Sequence, residues 1–319
     1  MLGFFKRKLK KGIHVAVYSD DSSVSVAQVR RENDLPPTLE FCDVQDAQNI
    51  SIRDAVLSKL TKTHNLDQYQ CLSLMQLGDY HLLLVEAPDV EPDEVKAAIR
   101  FRIKELIDFD LKEAVVDVFE APVGRSASRA NMVYAVVARS KRIKALISQL
   151  KSAGLNLETI DIPELALRNI AAMLPEDVAG VALVYIDENQ GLITITRQDE
   201  LYLSRTIAGG HSMLPEAVLS VVDDEDCRRW LDNIVIEVQR SMDYYESHFG
   251  QPQVSALVLS PLDHEVPGMI EYLEEQLQIP ARFLDIQELI DVSEPLSRYT
   301  QSRCLLALGT ALRQDAQVT

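Results

Sequence analysis

"VYIDENQGLITI", Val184–Ile195, reads as a strand, a sharp acidic turn and a second strand. An earlier stretch, "VYSDDSSVSVAQV", Val17–Val29, opens in the same way: valine, tyrosine, one variable residue, aspartate and a second acid. After each hairpin the chain continues into further strands and amphipathic helices. One chain with two such openings is expected to be α/β and internally duplicated.

The remaining pattern agrees. "PTLEFCDV" continues the first hairpin, "SIRDAVLSKLTKTH" carries apolar residues at helical spacing, and "QCLSLMQLGDYHLLLVEAP" reads as a strand pair turning at Gly78 and Asp79. "EVKAAIRFRIKELI" is a helix whose Val95, Ile99, Ile103 and Ile107 share one face, and "AVVDVFEAPV" and "MVYAVVAR" are strands. In the second half, "LITITR" and "LYLSRTIAGG" extend the hairpin into a meander. "DCRRWLDNIVIEVQRSMDYYESHF" is then a long helix whose Tyr244, Tyr245 and Phe249 are expected in the core, and "SRCLLALGTALR" closes the chain as a helix.

With 319 residues and 47% hydrophobic composition, the chain is long enough for two lobes. A formal net charge of −17 argues against nucleic-acid binding, which needs clustered Lys and Arg. The opening "MLGFFKRKLKKG" is the exception: it holds five cations and no acid. Its Leu2, Phe4, Phe5 and Leu9 among those cations suit an anionic membrane surface, so residues 2–11 are expected to make peripheral contact there. Cys42, Cys71, Cys227 and Cys304 form no CxxC pair, so neither zinc nor a redox motif is signalled. There is no apolar run long enough for a membrane span and no signal-peptide h-region, and the expected location is cytoplasmic, peripheral at the inner membrane.

Three blocks carry a resemblance. "EAPDVEPDEVKAAIRFRIKELIDFDLKEAVVDVFEA" (Glu86–Ala121), "LKSAGLNLETIDIPELALRNIA" (Leu150–Ala171) and "LALGTALR" (Leu306–Arg313) occur in an order that resembles the pilus-assembly PilM family. Within that family they look most like the branch serving mannose-sensitive haemagglutinin (MSHA) type IV pili. The resemblance implies an actin-like, ribonuclease H-like duplicated fold in two lobes with an FtsA/PilM-type inserted subdomain. Laid on this chain, residues 1–12 are a basic N-terminal segment, and 13–87 with 158–178 are the core of lobe I (subdomain IA). Residues 88–157 are the inserted subdomain IC, and 179–319 are lobe II (subdomains IIA and IIB).

In actin-like proteins each lobe supplies an Asp-x-Gly hairpin whose amides approach the nucleotide phosphates. The first hairpin here, Tyr18, Ser19, Asp20, Asp21, Ser22 and Ser23, has tyrosine for the aspartate and aspartate for the glycine. The second, with Tyr185, Asp187 and Asn189, makes the same exchange. The family's glycine-rich adenosine loop is replaced by "SPLDHEVPG", in which Ser260 remains but Pro261, Leu262 and Asp263 occupy glycine positions; Gly209 and Gly210 mark another phosphate-side position. Two unit charges about 5 Å apart at an effective dielectric near 20 repel by roughly 3 kcal/mol, so acidic turns cradle a triphosphate poorly. No cofactor is expected and no activity; ATP with Mg²⁺ is the alternative, as in an actin-like ATPase or small-molecule kinase with atypical loops. The plain readings stand beside this: Asp21 and Glu188 as solvated turn acids, Tyr18 and Tyr185 as strand aromatics, His264 as an exposed loop residue. Acids alone have no diagnostic metal spacing, and no metal site is expected. No Ser/His/Asp, Cys/His or HExxH arrangement is visible, so no catalytic residue is assigned.

The resemblance also implies a partner, the short N-terminal cytoplasmic tail of a PilN-like or MshJ-like membrane protein, held between lobe I and its inserted subdomain. Other pilus-platform proteins or the assembly ATPase are further partners of that kind. Arg100 and Arg102 lie off the apolar face of their helix and are expected to grip carboxylates or carbonyls of an extended peptide, with Phe101 and Phe109 as apolar pockets. Val115 and Val116 sit in a strand suited to β-strand addition. A solvated basic face is the plain reading of either arginine alone.

Overall fold

The computed structural model describes residues 12–31, 35–91, 94–122, 131–213, 224–263 and 266–314. The basic segment 1–11 and His264 lie outside them. In chain order the strands are β1 (Ile13–Ser19), β2 (Ser23–Arg30), β3 (Thr38–Asp46), β4 (Gln70–Leu74), β5 (Tyr80–Glu86), β6 (Ala114–Glu120) and β7 (Met132–Arg139), then β8 (Asn156–Asp161). After these come β9 (Val181–Ile186), β10 (Gln190–Arg197), β11 (Glu200–Ala208), β12 (Ala256–Leu259), β13 (Ala281–Phe283) and β14 (Asp291–Val292). The helices are α1 (Ile50–Thr63), α2 (Val95–Arg102), α3 (Ser140–Ser152), α4 (Pro163–Ala171), α5 (Glu225–Phe249), α6 (Met269–Leu277) and α7 (Arg298–Ala311).

Two compact units divide the chain: residues 1–79, 140–166 and 286–319 form one, and 80–139 with 167–285 the other. The first is built on a sheet of order β14-β3-β2-β1-β4-β8, in which β1, β2 and β3 are antiparallel neighbours while β4 and β8 join parallel to β1 and to each other. The second carries a sheet of order β11-β10-β9-β12-β13 with the same arrangement, a three-stranded meander followed by two parallel strands. The duplication expected from the two hairpins is therefore present in five strands of each sheet, with β14 added at one edge of the first. Strand β9, "VALVYI", is buried at all six positions, as a continuous apolar run must be when both faces of its sheet are covered.

A third sheet, order β5-β7-β6, belongs to the second unit. Helix α2 and the single 3-10 turn after it, Ile103–Glu105, cover it: Ile99 and Ile103 are fully buried and Val95 and Ile107 partly buried, so the helix expected to run through Ile107 ends at Arg102 while its apolar face continues. These are the four residues whose spacing marked the core face. Tyr134 of β7 donates its hydroxyl to the Tyr202 carbonyl of β11 at 2.7 Å.

Three expectations about boundaries are corrected. "QCLSLMQLGDYHLLLVEAP" is not a hairpin: β4 lies in the six-stranded sheet and β5 in the three-stranded one. The turn is real, with Asp79 N–H on the Gln76 carbonyl at 3.1 Å and Gly78 at φ +89°, but it sends the chain out of the first unit. β4 already has parallel neighbours on both sides, so no edge is left for β5. Second, α3 belongs to the first unit, because it is the crossover between parallel strands β4 and β8 after the excursion through 80–139. Third, α7 and β14, assigned above to lobe II, return to the first unit. Helix α7 is buried at ten positions around its circumference, from Gln301 to Ala311, so it needs apolar cover on every side and finds it against β1 to β4.

Helix α5 shows the opposite pattern, one apolar stripe through Trp230, Ile234, Val238, Met242, Tyr245 and Phe249. Asp224 caps its start by accepting the Cys227 amide at 2.8 Å, and Gly250 ends it at φ +64°. Tyr245 and Phe249 are in the core as expected. Tyr244 is 37% exposed and stacks on His248.

Candidate functional site

The two hairpin turns close in one way. In the first, Asp20 N–H donates to the Ser23 carbonyl at 3.1 Å. The Asp20 carboxylate folds back and accepts the Ser22 and Ser23 amides at 2.8 and 2.7 Å, together with both serine hydroxyls. In the second, Asp187 N–H donates to the Gln190 carbonyl at 2.9 Å, and its carboxylate accepts the Asn189 and Gln190 amides at 2.7 Å each. An Asp at the first position of a turn fits this, because its short side chain reaches amides two and three residues on. Turn amides left free can bind an anion. Here each pair is occupied by a carboxylate of the chain itself.

The carbonyls of the first turn are also engaged. Arg53 donates to the Asp20 carbonyl at 2.6 Å and to the Asp21 carboxylate at 3.2 Å; Gln76 donates to the Ser19 carbonyl at 2.7 Å; Ala47 N–H reaches the Ser22 carbonyl at 2.7 Å. Arg303 of α7 reaches the Ser22 hydroxyl at 3.2 Å. Tyr18 is 5% exposed, next to Ser19 at the end of β1, and Tyr185 is 7% exposed on β9. Both are buried strand aromatics.

In the second unit, Gly210 lies against the turn so closely that a Cβ would sit 2.3 Å from the Asp187 carbonyl oxygen and 2.4 Å from the Asn189 nitrogen. That approach lets the His211 and Ser212 amides reach the Asp187 and Glu188 carbonyls at 2.8 and 2.9 Å. Gly209 beside it has φ +88°. Ser260, 1% exposed, accepts the Ile186 amide on its hydroxyl at 3.2 Å and donates its own N–H to Val184 at 2.8 Å. Pro261 is buried and Leu262, 2% exposed, joins the unit's core. The segment 260–262 is thus packed into the unit's core by its own side chains.

The residues expected to hold a partner peptide take up different roles. Arg100 spends its guanidinium on the Leu111 and Ala114 carbonyls at 2.8 and 3.1 Å, closing the loop between α2 and β6. Arg102 donates to the Glu86 carbonyl at 2.8 Å. Phe109 is partly buried beneath the Arg139 guanidinium, which lies 4.2 Å from its ring centre. Phe101 is 78% exposed. Val116 faces the core under α2 while Val115 is 41% exposed, and β6 pairs only with β7 among the described residues, so its outer edge is open.

A pocket of about 440 Å³ lies in the first unit, where β1 and β4 end between α1 and α3. Its apolar wall is Ile50, Leu74, Met75, Ala145 and Leu146, and Arg53, Asp79, Arg142 and Gln149 supply polar groups. Burial pushes the Asp79 carboxyl up, against the pull of Arg142 at 3.1 Å. Arg53 and Gln76 line this pocket and also hold the first turn, so the two features share side chains. These residues come from three separated segments with no common motif, and of them only Asp79 stood out in the sequence, as part of a turn. Among the described residues no group of three or more His, Cys, Asp or Glu is placed to hold a metal ion.

No protein-family model matches the chain, and no curated protein matches it by sequence. Solved structures do. A chain of the PilM–PilN type IV pilus biogenesis complex aligns with a TM-score of 0.74 at 17% identity, over 94% of this chain and 97% of that one. The cytoplasmic domain of EpsL, an inner-membrane component of the type II secretion system of Vibrio cholerae, aligns with a TM-score of 0.53 at 10% identity, over 96% and 98%. A Bacteroides thetaiotaomicron protein with an actin-like ATPase fold aligns with a TM-score of 0.51 at 10% identity, over 91% and 96%. The likeness is one of fold, and the chain has the actin-like fold.

Proposed function

We propose that this chain is a non-hydrolysing actin-like adaptor of a type IV pilus assembly platform, in the MSHA branch, that holds the cytoplasmic tail of a PilN-like or MshJ-like inner-membrane protein. The observation that carries the reading is the pair of turns whose amides are taken by Asp20 and Asp187. In this reading, a fold whose two turns are capped internally keeps its value as a binding scaffold. The similarity to a chain of the PilM–PilN type IV pilus biogenesis complex supports the class of partner. The pocket between α1 and α3 offers an apolar wall and paired charges to an extended peptide, and exposed Phe101 and the open edge of β6 offer a second contact surface. No helix among the described residues is long and apolar enough to cross a membrane. In this reading the basic segment 2–11 and the captured tail both place the protein at the inner membrane.

The test is titration of a synthetic partner tail into the full chain. Leu146→Glu should abolish binding if the pocket holds the tail, and Phe101→Ala with Arg102→Glu should do so if the inserted sheet does, with circular dichroism showing that each variant is folded. Unaltered affinity in both variants overturns the assignment of the site. The competing reading, an ATP-binding actin-like enzyme, requires both sets of amides to be released from their carboxylates.

A further inference from the structure

Cys304 of α7 is fully buried, with its sulfur 3.8 Å from the Val26 carbonyl of β2 and 3.8 Å from the Asp43 carbonyl of β3. The residue before Asp43 is Cys42. Its neighbours Phe41 and Asp43 face α1, where Phe41 stacks on His64 with ring centres 4.2 Å apart and Asp43 meets the His64 Nε2 at 2.9 Å. Alternation along a strand puts Cys42 on the opposite face, beneath α7, one residue from the Asp43 carbonyl that the Cys304 sulfur touches. Both are free thiols, and Cys42 is only half-buried.

We infer that Cys42 and Cys304 are a modification site, a thiol pair that a peroxide closes into a disulfide, stapling the C-terminal helix to β3. The sulfur of Cys42, the less buried residue of the two, attacks one peroxide oxygen as thiolate; the O–O bond breaks, leaving a sulfenic acid on Cys42 and releasing the other oxygen as hydroxide. The Cys304 sulfur then attacks the Cys42 sulfur, the S–O bond breaks, and the departing hydroxide leaves as water with the Cys304 proton. Two thiols are oxidised and one peroxide is reduced to water. Burial pushes the Cys304 thiol up, so Cys304 acts as the resolving partner and not as the first nucleophile. The consequence is topological. The whole second unit lies between residues 42 and 304, so the bond closes a loop around it and ties both ends of the first unit together.

The experiment is peroxide titration of the full chain with thiol counting, peptide mapping without reductant and a thermal melt. The count should fall from the four cysteines of the sequence to two, with Cys42 linked to Cys304, Cys71 and Cys227 intact, and dithiothreitol restoring all four. The melting temperature should rise on oxidation. Cys42→Ser should keep its remaining thiols under the same treatment. A wild-type chain that keeps four thiols, stops at a sulfinic acid on Cys42 or links another pair overturns the inference. That peptide map decides the matter even where a serine variant fails to fold.

Discussion

The Asp20 carboxylate accepts the Ser23 amide at 2.7 Å across the first hairpin turn, a relation that Asp187 repeats with Gln190 at 2.7 Å across the second. Each carboxylate holds a second amide as well, so each is the internal cap of its turn. Hydrogen bonds to a charged acceptor contribute about 1.5–3 kcal/mol when partly buried. Asp20→Ala and Asp187→Ala should each lower stability by about 1–2 kcal/mol in urea unfolding, and the Asn replacements by less, since a carbonyl oxygen still accepts.

The proposed loss of nucleotide binding rests on the same geometry. Calorimetric titration of Mg·ATP into the wild-type chain should show no binding tighter than about 1 mM. Combining Tyr18→Asp, Asp20→Gly, Tyr185→Asp and Asp187→Gly removes both caps and frees the amides. If the turns alone block the site, this variant should gain measurable heat. Micromolar ATP affinity in the wild type would contradict the adaptor reading.

Gly309 of α7 lies against the backbone of α4, where a Cβ would be 2.3 Å from the Ala166 carbonyl oxygen and 2.8 Å from its carbon. Backbone is the obstacle, so no rotamer change relieves it. Gly309→Ala should cost about 1–3 kcal/mol and lower the melting temperature, even though alanine is the better helix former. An unchanged melt would mean that α7 shifts freely on its sheet.

The Arg282 guanidinium forks onto Glu176, Nε to Oε1 at 2.7 Å and Nη2 to Oε2 at 3.2 Å, and holds that carboxyl below its usual 4.5. A carboxyl lowered by folding stabilises fully above its unfolded value and loses that contribution as pH falls through the folded one. Acid unfolding curves of the wild type should therefore slope downward below pH 4.5, and Arg282→Gln should flatten this part of the curve. Identical slopes would assign the acid sensitivity to other carboxylates.

Local pattern determined much of this protein. The twin Tyr-x-Asp openings announced the duplication, apolar spacing located α1, α2 and α5, and the aspartate at the bend of each turn was visible residue by residue. Each of these depends on neighbours within a few positions, where periodicity and turn chemistry act directly. Tertiary structure decided the rest. Whether β5 pairs with β4 depended on which edges of the first sheet were already taken, and the return of α7 depended on a sheet face built from strands far upstream. Asp20 was legible as an acid that disfavours phosphate, but its role as a cap required the backbone to bring two amides to its oxygen. Arg100 looked like a free cation until the Leu111 and Ala114 carbonyls claimed it, and Cys42 and Cys304 looked unrelated until α7 crossed β3. Contacts between distant segments are selected by the packing of the whole unit, and no short window of sequence contains that information.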